Sequence, residues 1–315
     1  MRYCIYLFLV QSTLRVLSIF KAKRAITVKL IVVLLATFFS TSLYAKPQRI
    51  ISLAPHLTEQ VYALGAGDKL IATVDYADYP EAAKALPRIG NYQYISLESI
   101  ISLKPDLVLV WQQGNQRGLS QKLRALNIQV FVSKPKRLDT LPKQLAELGS
   151  ILGEQETGQR LSQFAEQQLA QLAQQYQSKS KVSVFYQMWH TPLRSISAKS
   201  WIDDGIRLCG GENIMAEAVA PYPLLSEEWV LEADPQAIII AQWQFEHSWK
   251  QWPQLQAVQQ QHIYHLDPDK AHRLTLRTLE SLKQLCSMLE KSRKKTHPDK
   301  LSGTRAYTSE EKSSI

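Results

Sequence analysis

The 315-residue chain is poor in the patterns that most enzymes display. It has no nucleophile-elbow Gly-x-Ser-x-Gly and no phosphate-cradling glycine loop, which leaves catalysis only scattered His and Asp, so no enzyme is expected. No mixed acidic and histidine cluster suits a metal ion. His262 and His265 stand three apart on an expected strand, a spacing that turns them to opposite faces, and no metal site is expected.

Acidic residues are missing from the first 45 positions, which hold six Lys or Arg. Leu30 to Phe39 is apolar apart from Thr37, and small and polar residues lead to Tyr44-Ala45. Basic region, apolar region and small-residue site in that order predict a secretory signal peptide over 1–45 and an oxidising destination. The apolar core is short for a membrane span. A second apolar patch, Ile5 to Val10, makes the leader long, and both a start near Val28 and a retained anchor stay open as readings. The residue directly after Ala45 is Lys46 and not Cys, so no lipid anchor is expected.

The formal charge of +9 sits at the ends. Residues 1–45 carry +6 and 291–315 carry +4, while 46–290 has 24 basic and 25 acidic residues and nets −1. No basic face for nucleic acid follows from such a body. The stretch 291–315 is polar and aperiodic and reads as a disordered basic tail. Cysteine is scarce too: Cys4 goes with the leader, and the remaining pair, Cys209 and Cys286, permits one disulfide or two buried thiols.

What the chain does have is a unit used twice. Ser96-Leu97-Glu98 runs to Pro105 and the apolar stretch Leu107 to Trp111, and Ser226-Glu227-Glu228 runs to Pro235 and Ala237 to Ala241, with Trp243 just beyond. In both copies a serine can cap a helix, a glutamate stands in its first turn, and a proline seven residues after the glutamate stops the helix ahead of a buried strand. Two related α/β lobes are therefore expected, each showing one glutamate at a helix N-terminus. A single Ser-x-Glu would mean no more than a cap; the matched pair suggests two fixed anchors.

The rest of the chain alternates strands and helices. Arg49 to Leu53 and Leu70 to Val74 read as strands around a helix opened by a Thr58 cap with Glu59, which implies a parallel sheet. A loop, Asp75 to Pro80, follows. Further helices are expected near 119–126 and 138–152, with a strand at 129–132. Residues 154–178 lack proline and repeat Leu161, Ala165, Leu169, Leu172 and Tyr176 at helical spacing, predicting one stiff rod of about 35 Å. The expected organisation is an N-terminal lobe at 46–153, an inter-lobe helix at 154–178, and a C-terminal lobe at 179–290 with strands at 181–187 and 262–266. The fold class is α/β: two Rossmann-like lobes with parallel sheets joined by one long rigid α-helix.

Several segments together resemble the periplasmic binding proteins of ABC importers with a rigid inter-lobe helix, and among them the cobalamin (vitamin B12) binders. They are Arg49 to Pro55 with Thr58-Glu59, Tyr76-Ala77-Asp78-Tyr79-Pro80, Ser96-Leu97-Glu98 leading to Lys104 to Val108, Trp111 with Gly114-Asn115, and Cys209 to Ile214. The first and third recur across siderophore and haem binders, so they imply architecture only. The others lean toward cobalamin.

The resemblance implies a monomer, with no cofactor of its own, that carries a corrinoid to an inner-membrane ABC permease and its ATPase. It places Tyr76, Tyr92 and Trp111 on the ligand, together with the stretch Asp269, Lys270, Ala271, His272 and Arg273, which lacks the family's aromatics there. It makes Glu98 and Glu228 the transporter contacts and joins Cys209 to Cys286. Corrin is a flat, amide-edged ring, which suits aromatic faces. Trp189, Trp201, Trp229, Trp243, Trp249 and Trp252 read as core or surface side chains, and His272 as a histidine that could ligate cobalt or haem iron. Haem or a siderophore is the alternative cargo, the latter needing more cations than Arg273 and Lys270.

Overall fold

The computed structural model describes residues 46–243 and 249–294; the expected leader and residues 295–315 of the expected tail lie outside them. The first sheet is built from β1 (Ile50–Ser52), β2 (Leu70–Ala72), β3 (Leu107–Trp111) and β4 (Gln129–Ser133), in the order β2-β1-β3-β4 and all parallel. The second uses β5 (Val182–Gln187), β6 (Gly211–Asn213), β7 (Ala237–Ile240) and β8 (Ile263–His265), in the order β6-β5-β7-β8, again all parallel. Strand order is thus the same in both lobes. Central strands such as β7 are buried along their whole length, as helices on both faces of a parallel sheet require.

Helix boundaries follow local chemistry. Helix α1 (Pro55–Ala63) begins on Pro55, whose missing N–H costs nothing in a first turn. The expected Thr58 cap is therefore wrong: Thr58 lies a turn inside α1, where its hydroxyl bonds Ser52 Oγ at 2.9 Å and Thr73 Oγ1 at 2.7 Å. Helix α2 (Leu97–Ser102) is capped by Ser96, whose Oγ accepts from the Ser99 N–H at 3.2 Å. Helix α3 (Leu119–Ala125) leads into β4.

Helix α4 (Thr140–Leu152) closes on Gly153 in the left-handed region, the usual glycine stop. Helix α5 (Gln155–Tyr176) then runs 22 residues, about 33 Å. It does not join the lobes alone. Gly149 and Gly158 let α4 and α5 touch backbone to backbone, since a Cβ on Gly149 would stand 2.7 Å from Gly158 Cα. Leu148 and Leu152 of α4 belong to the first lobe's core, while Leu138, Leu141 and Leu145 pack with Ala165 and Leu172 of α5 into the second lobe's core.

In the second lobe, α6 (Trp201–Leu208) is capped by Ser200 and ends at Cys209. Helix α7 (Glu227–Ala233) starts after Ser226, whose side chain makes no bond to the helix backbone, unlike Ser96. Asp234 and Lys104 both take positive φ directly before the prolines that end the two copies. Short α8 (Gln256–Gln259) and α9 (Pro268–Ala271) precede the last helix, α10 (Arg277–Arg293). Cys209 and Cys286 are joined by a disulfide that ties the end of α6 to α10. Lys291, Ser292 and Arg293, assigned from sequence to the tail, instead continue α10, and Arg293 donates to the carbonyls of Ser180, Cys209 and Gly210. The polar strand β6 has no counterpart in the sequence reading.

Candidate functional site

In a parallel sheet of this strand order the chain leaves β1 and β3 to opposite sides, and the crevice at their carboxyl ends is where ligands sit. Both lobes have such a crest. The first carries Trp111 at the end of β3; the second carries Trp189, two residues after β5, and Trp243, three after β7.

Trp111 is held from several sides. Its backbone N–H donates to Asn115 Oδ1 at 2.6 Å, and Asn115 Nδ2 donates to the carbonyls of Leu53 and Tyr92 at 2.9 and 2.6 Å. One buried amide thus fixes β1, β3 and the Tyr92 loop together. Gly114 lets the indole lie flat on its own loop, because a Cβ there would fall 1.9 Å from Trp111 Cε3. The Tyr92 ring tilts against Trp111 at 5.5 Å, and buried His56 meets it edge-on at 5.4 Å. Burial, then the charge of Arg273, lowers His56 to a pKa of about 3, so the ring is neutral at pH 7.

The second crest is more open. Trp189 and Trp243 pack edge-to-face at 6.5 Å and remain 46 and 58% exposed. Trp243 Nε1 donates to Asp269 Oδ2 at 3.3 Å, linking this pair to the 269–273 stretch. Neither tryptophan was singled out from sequence, although Trp243 stands just beyond the strand run of the second repeated unit, two places past the position that Trp111 holds in the first.

The other sequence-expected residues divide. Tyr76 is 69% exposed on the loop after β2 with a positive φ. Asp269 pairs with Arg273, and Arg273 Nη1 reaches Asp78 at 2.9 Å and Glu59 at 3.2 Å in the first lobe. Burial alone would raise Asp78, but the bond and charge of Arg273 hold it below the usual carboxylate range. Lys270 turns to Glu280 at 2.8 Å, and Ala271 is buried in the second lobe's core. His272 Nε2 lies 3.1 Å from Tyr186 Oη, and burial with Arg273 nearby lowers its pKa to about 4. Among the described residues no His, Cys, Asp and Glu group could hold a metal ion.

Glu98 and Glu228 are exposed in the first turns of α2 and α7. Hydrogen bonds from Ser96 and Ser226 respectively, then from their own backbone, hold both carboxyls below the usual range, so each is a carboxylate at neutral pH. Exposed apolar neighbours accompany them: Tyr94 and Ile101 near Glu98, Leu224 and Trp229 near Glu228.

Two like-ordered sheets, each with a tryptophan-bearing crest, and a helical joint define a two-lobed solute receptor. A profile described as "Periplasmic binding protein" matches residues 50–270, and the chain belongs to that family. The vitamin B12-binding protein of Vibrio cholerae serotype O1 is 39% identical over 263 residues, 82% of this chain and 95% of the relative. The crystal structure of the periplasmic vitamin B12 binding protein BtuF of Vibrio cholerae superposes with a TM-score of 0.75 at 38% identity, covering 79% of this chain and 99% of that one. The periplasmic heme-binding protein RhuT from Roseiflexus sp. RS-1 shares the fold at a TM-score of 0.68 and 24% identity, over 78% of this chain and 99% of that one.

Proposed function

We propose that this chain is a periplasmic receptor that captures cobalamin or a related corrinoid between its lobes and delivers it to an inner-membrane ABC transporter. The observation that carries the reading is the pair of tryptophan-bearing crests at the carboxyl ends of the two sheets, half-buried Trp111 with Tyr92 on one and open Trp189 with Trp243 on the other. Indole and phenol faces supply broad apolar contact, and the amide-edged ring is met at its rim by the polar groups of Asp269 and Arg273. The vitamin B12-binding relatives support the choice of cargo. The arginine of the site is already committed to carboxylates, which argues against an anionic ferric siderophore. His272 is engaged by Tyr186, which argues against cobalt or haem ligation.

Glu98 and Glu228 would present one carboxylate per lobe to arginines of a pseudo-symmetric permease. Exposed pairs contribute little each, so their role is orientation and encounter rate.

The test is titration of the protein freed of residues 1–45 with cyanocobalamin, cobinamide, haemin and a ferric siderophore, followed by tryptophan fluorescence. Cyanocobalamin is expected to bind tightest; tighter binding of haemin, or no corrinoid binding, overturns the reading. Reversing both posts, Glu98→Lys with Glu228→Lys, should leave this titration unchanged and abolish vitamin uptake by cells. Undiminished uptake would remove the docking role.

A further inference from the structure

Glu59 is a carboxylate buried to 3% exposure in the middle of α1, a position that an acid occupies only with strong compensation. The compensation comes from the other lobe. Arg277 Nε donates to Glu59 Oε2 at 3.0 Å and its Nη2 to Oε1 at 2.6 Å, a two-point fork, and Arg273 Nη1 adds a third bond at 3.2 Å. Next to it, Gln60 Nε2 donates to the Leu274 carbonyl at 2.8 Å.

Beyond Glu59, both arginines turn to one loop. Arg273 reaches Asp78, and the Arg277 guanidinium lies over the Tyr79 ring at 3.9 Å. Asp78 and Tyr79 belong to the loop that carries Tyr76. So the loop bearing one aromatic of the first lobe is gripped by two cations of the second, and both cations are aimed by one buried acid of the first.

We infer that Glu59 is a positioning residue for ligand capture: it holds Arg273 and Arg277 so that they clamp the Tyr76–Pro80 loop and fix where Tyr76 stands at the mouth of the groove. This rests on the corrinoid reading for its effect on affinity. The geometry of the clamp does not. A purely stabilising ion cluster would lower the melting temperature when broken and leave loop order and affinity alone.

The experiment compares Glu59→Gln with Asp78→Asn and Tyr79→Leu, two changes on the accessible side of the clamp that spare the buried acid. It reads amide hydrogen exchange at Ala77, Asp78 and Tyr79 without ligand, the dissociation constant for cyanocobalamin, and the melting temperature. Glu59→Gln should raise exchange at these amides and weaken binding about tenfold, the scale of one lost charge-assisted bond. Asp78→Asn and Tyr79→Leu should each weaken binding about three- to fivefold, and adding either to Glu59→Gln should cost little more, because all three act through one anchor. Unchanged loop exchange and affinity in the variants that fold would overturn the clamp, whatever happens to the melting temperature. If the wild type binds no corrinoid, the function reading fails while exchange in the unliganded protein still decides the clamp: faster exchange upholds it and unchanged exchange overturns it.

Discussion

The two lobes share a strand order and a helix-proline-strand unit, yet one presents a set wall to the groove and the other an open one. Trp111 is fastened by Asn115, Gly114, Tyr92 and His56, whereas Trp189 and Trp243 touch each other, tie one indole N–H each to the Thr191 carbonyl and to Asp269, and stay about half exposed. Strand topology therefore fixes where a site forms, and the loops decide how preorganised each side is. A set wall costs little to bind against, while an open wall loses side-chain freedom when it closes on a ring.

The largest expected break in the comparison is the disulfide, which only the second lobe has among the described residues. It closes a separation of 77 residues, for which chain entropy gives an upper figure of about 4 to 5 kcal/mol. Replacing Cys209 and Cys286 with serine should lower unfolding free energy in denaturant by about 2–5 kcal/mol. Hydrogen exchange should quicken first around α6 and α10, with β1 and β3 little affected. Uniform loosening would show that the lobes do not differ in this way.

A second contrast lies in the histidines. His56 in the first lobe and His272 in the second both have folded-state pKa values below the unfolded value of about 6.5, so the unfolded chain binds more protons at mildly acid pH. Stability is therefore complete above pH 6.5 and falls as pH drops toward 4. His56 alone should account for a loss on the order of 3 kcal/mol over that span. His56→Gln and His272→Gln should flatten the curve about equally between pH 7.5 and 4.5, which lies above both folded values, as read by denaturant unfolding; only below pH 4 should His56 go on losing after His272 has stopped.

The crests themselves give the third test. Trp111→Ala removes a preorganised ring and should weaken cyanocobalamin binding about 10- to 100-fold, whereas Trp243→Ala should weaken it about 3- to 10-fold. Equal losses in calorimetric titration would erase the distinction between set and open walls. The smallest effect separates the two copies of the repeated unit: Ser96→Ala should cost about 1 kcal/mol through a lost cap, and Ser226→Ala, with no backbone bond to lose, only a few tenths. Thermal unfolding of the two variants reads this directly.

Much of the architecture was legible because it is encoded locally. The runs Leu107 to Trp111 and Ala237 to Ile240 are apolar at every position, and each follows a proline that cannot continue a helix. Thr58-Glu59 misled because the same residue pattern serves a cap and a buried cluster, and Pro55 had already started the helix three residues earlier. The partners of Glu59 stand 214 and 218 residues away, a separation over which spacing carries no signal. Strand β6 is Gly-Glu-Asn and has no apolar pattern to read. Of the aromatics on the two crests, Trp111 was named from the sequence and Trp243 left a clue in its place just beyond a strand run; Trp189 left none.

Helix α4 puts Leu148 and Leu152 in one core and Leu141 and Leu145 in the other. Neither half of the molecule is therefore a module. A scissor cut placed before α4 would bare the first core, and one placed after it would bare the second, so halves made separately should clump rather than fold. Shuffling lobes between relatives would succeed only if α4 and α5 travelled together with the leucine sockets that receive them.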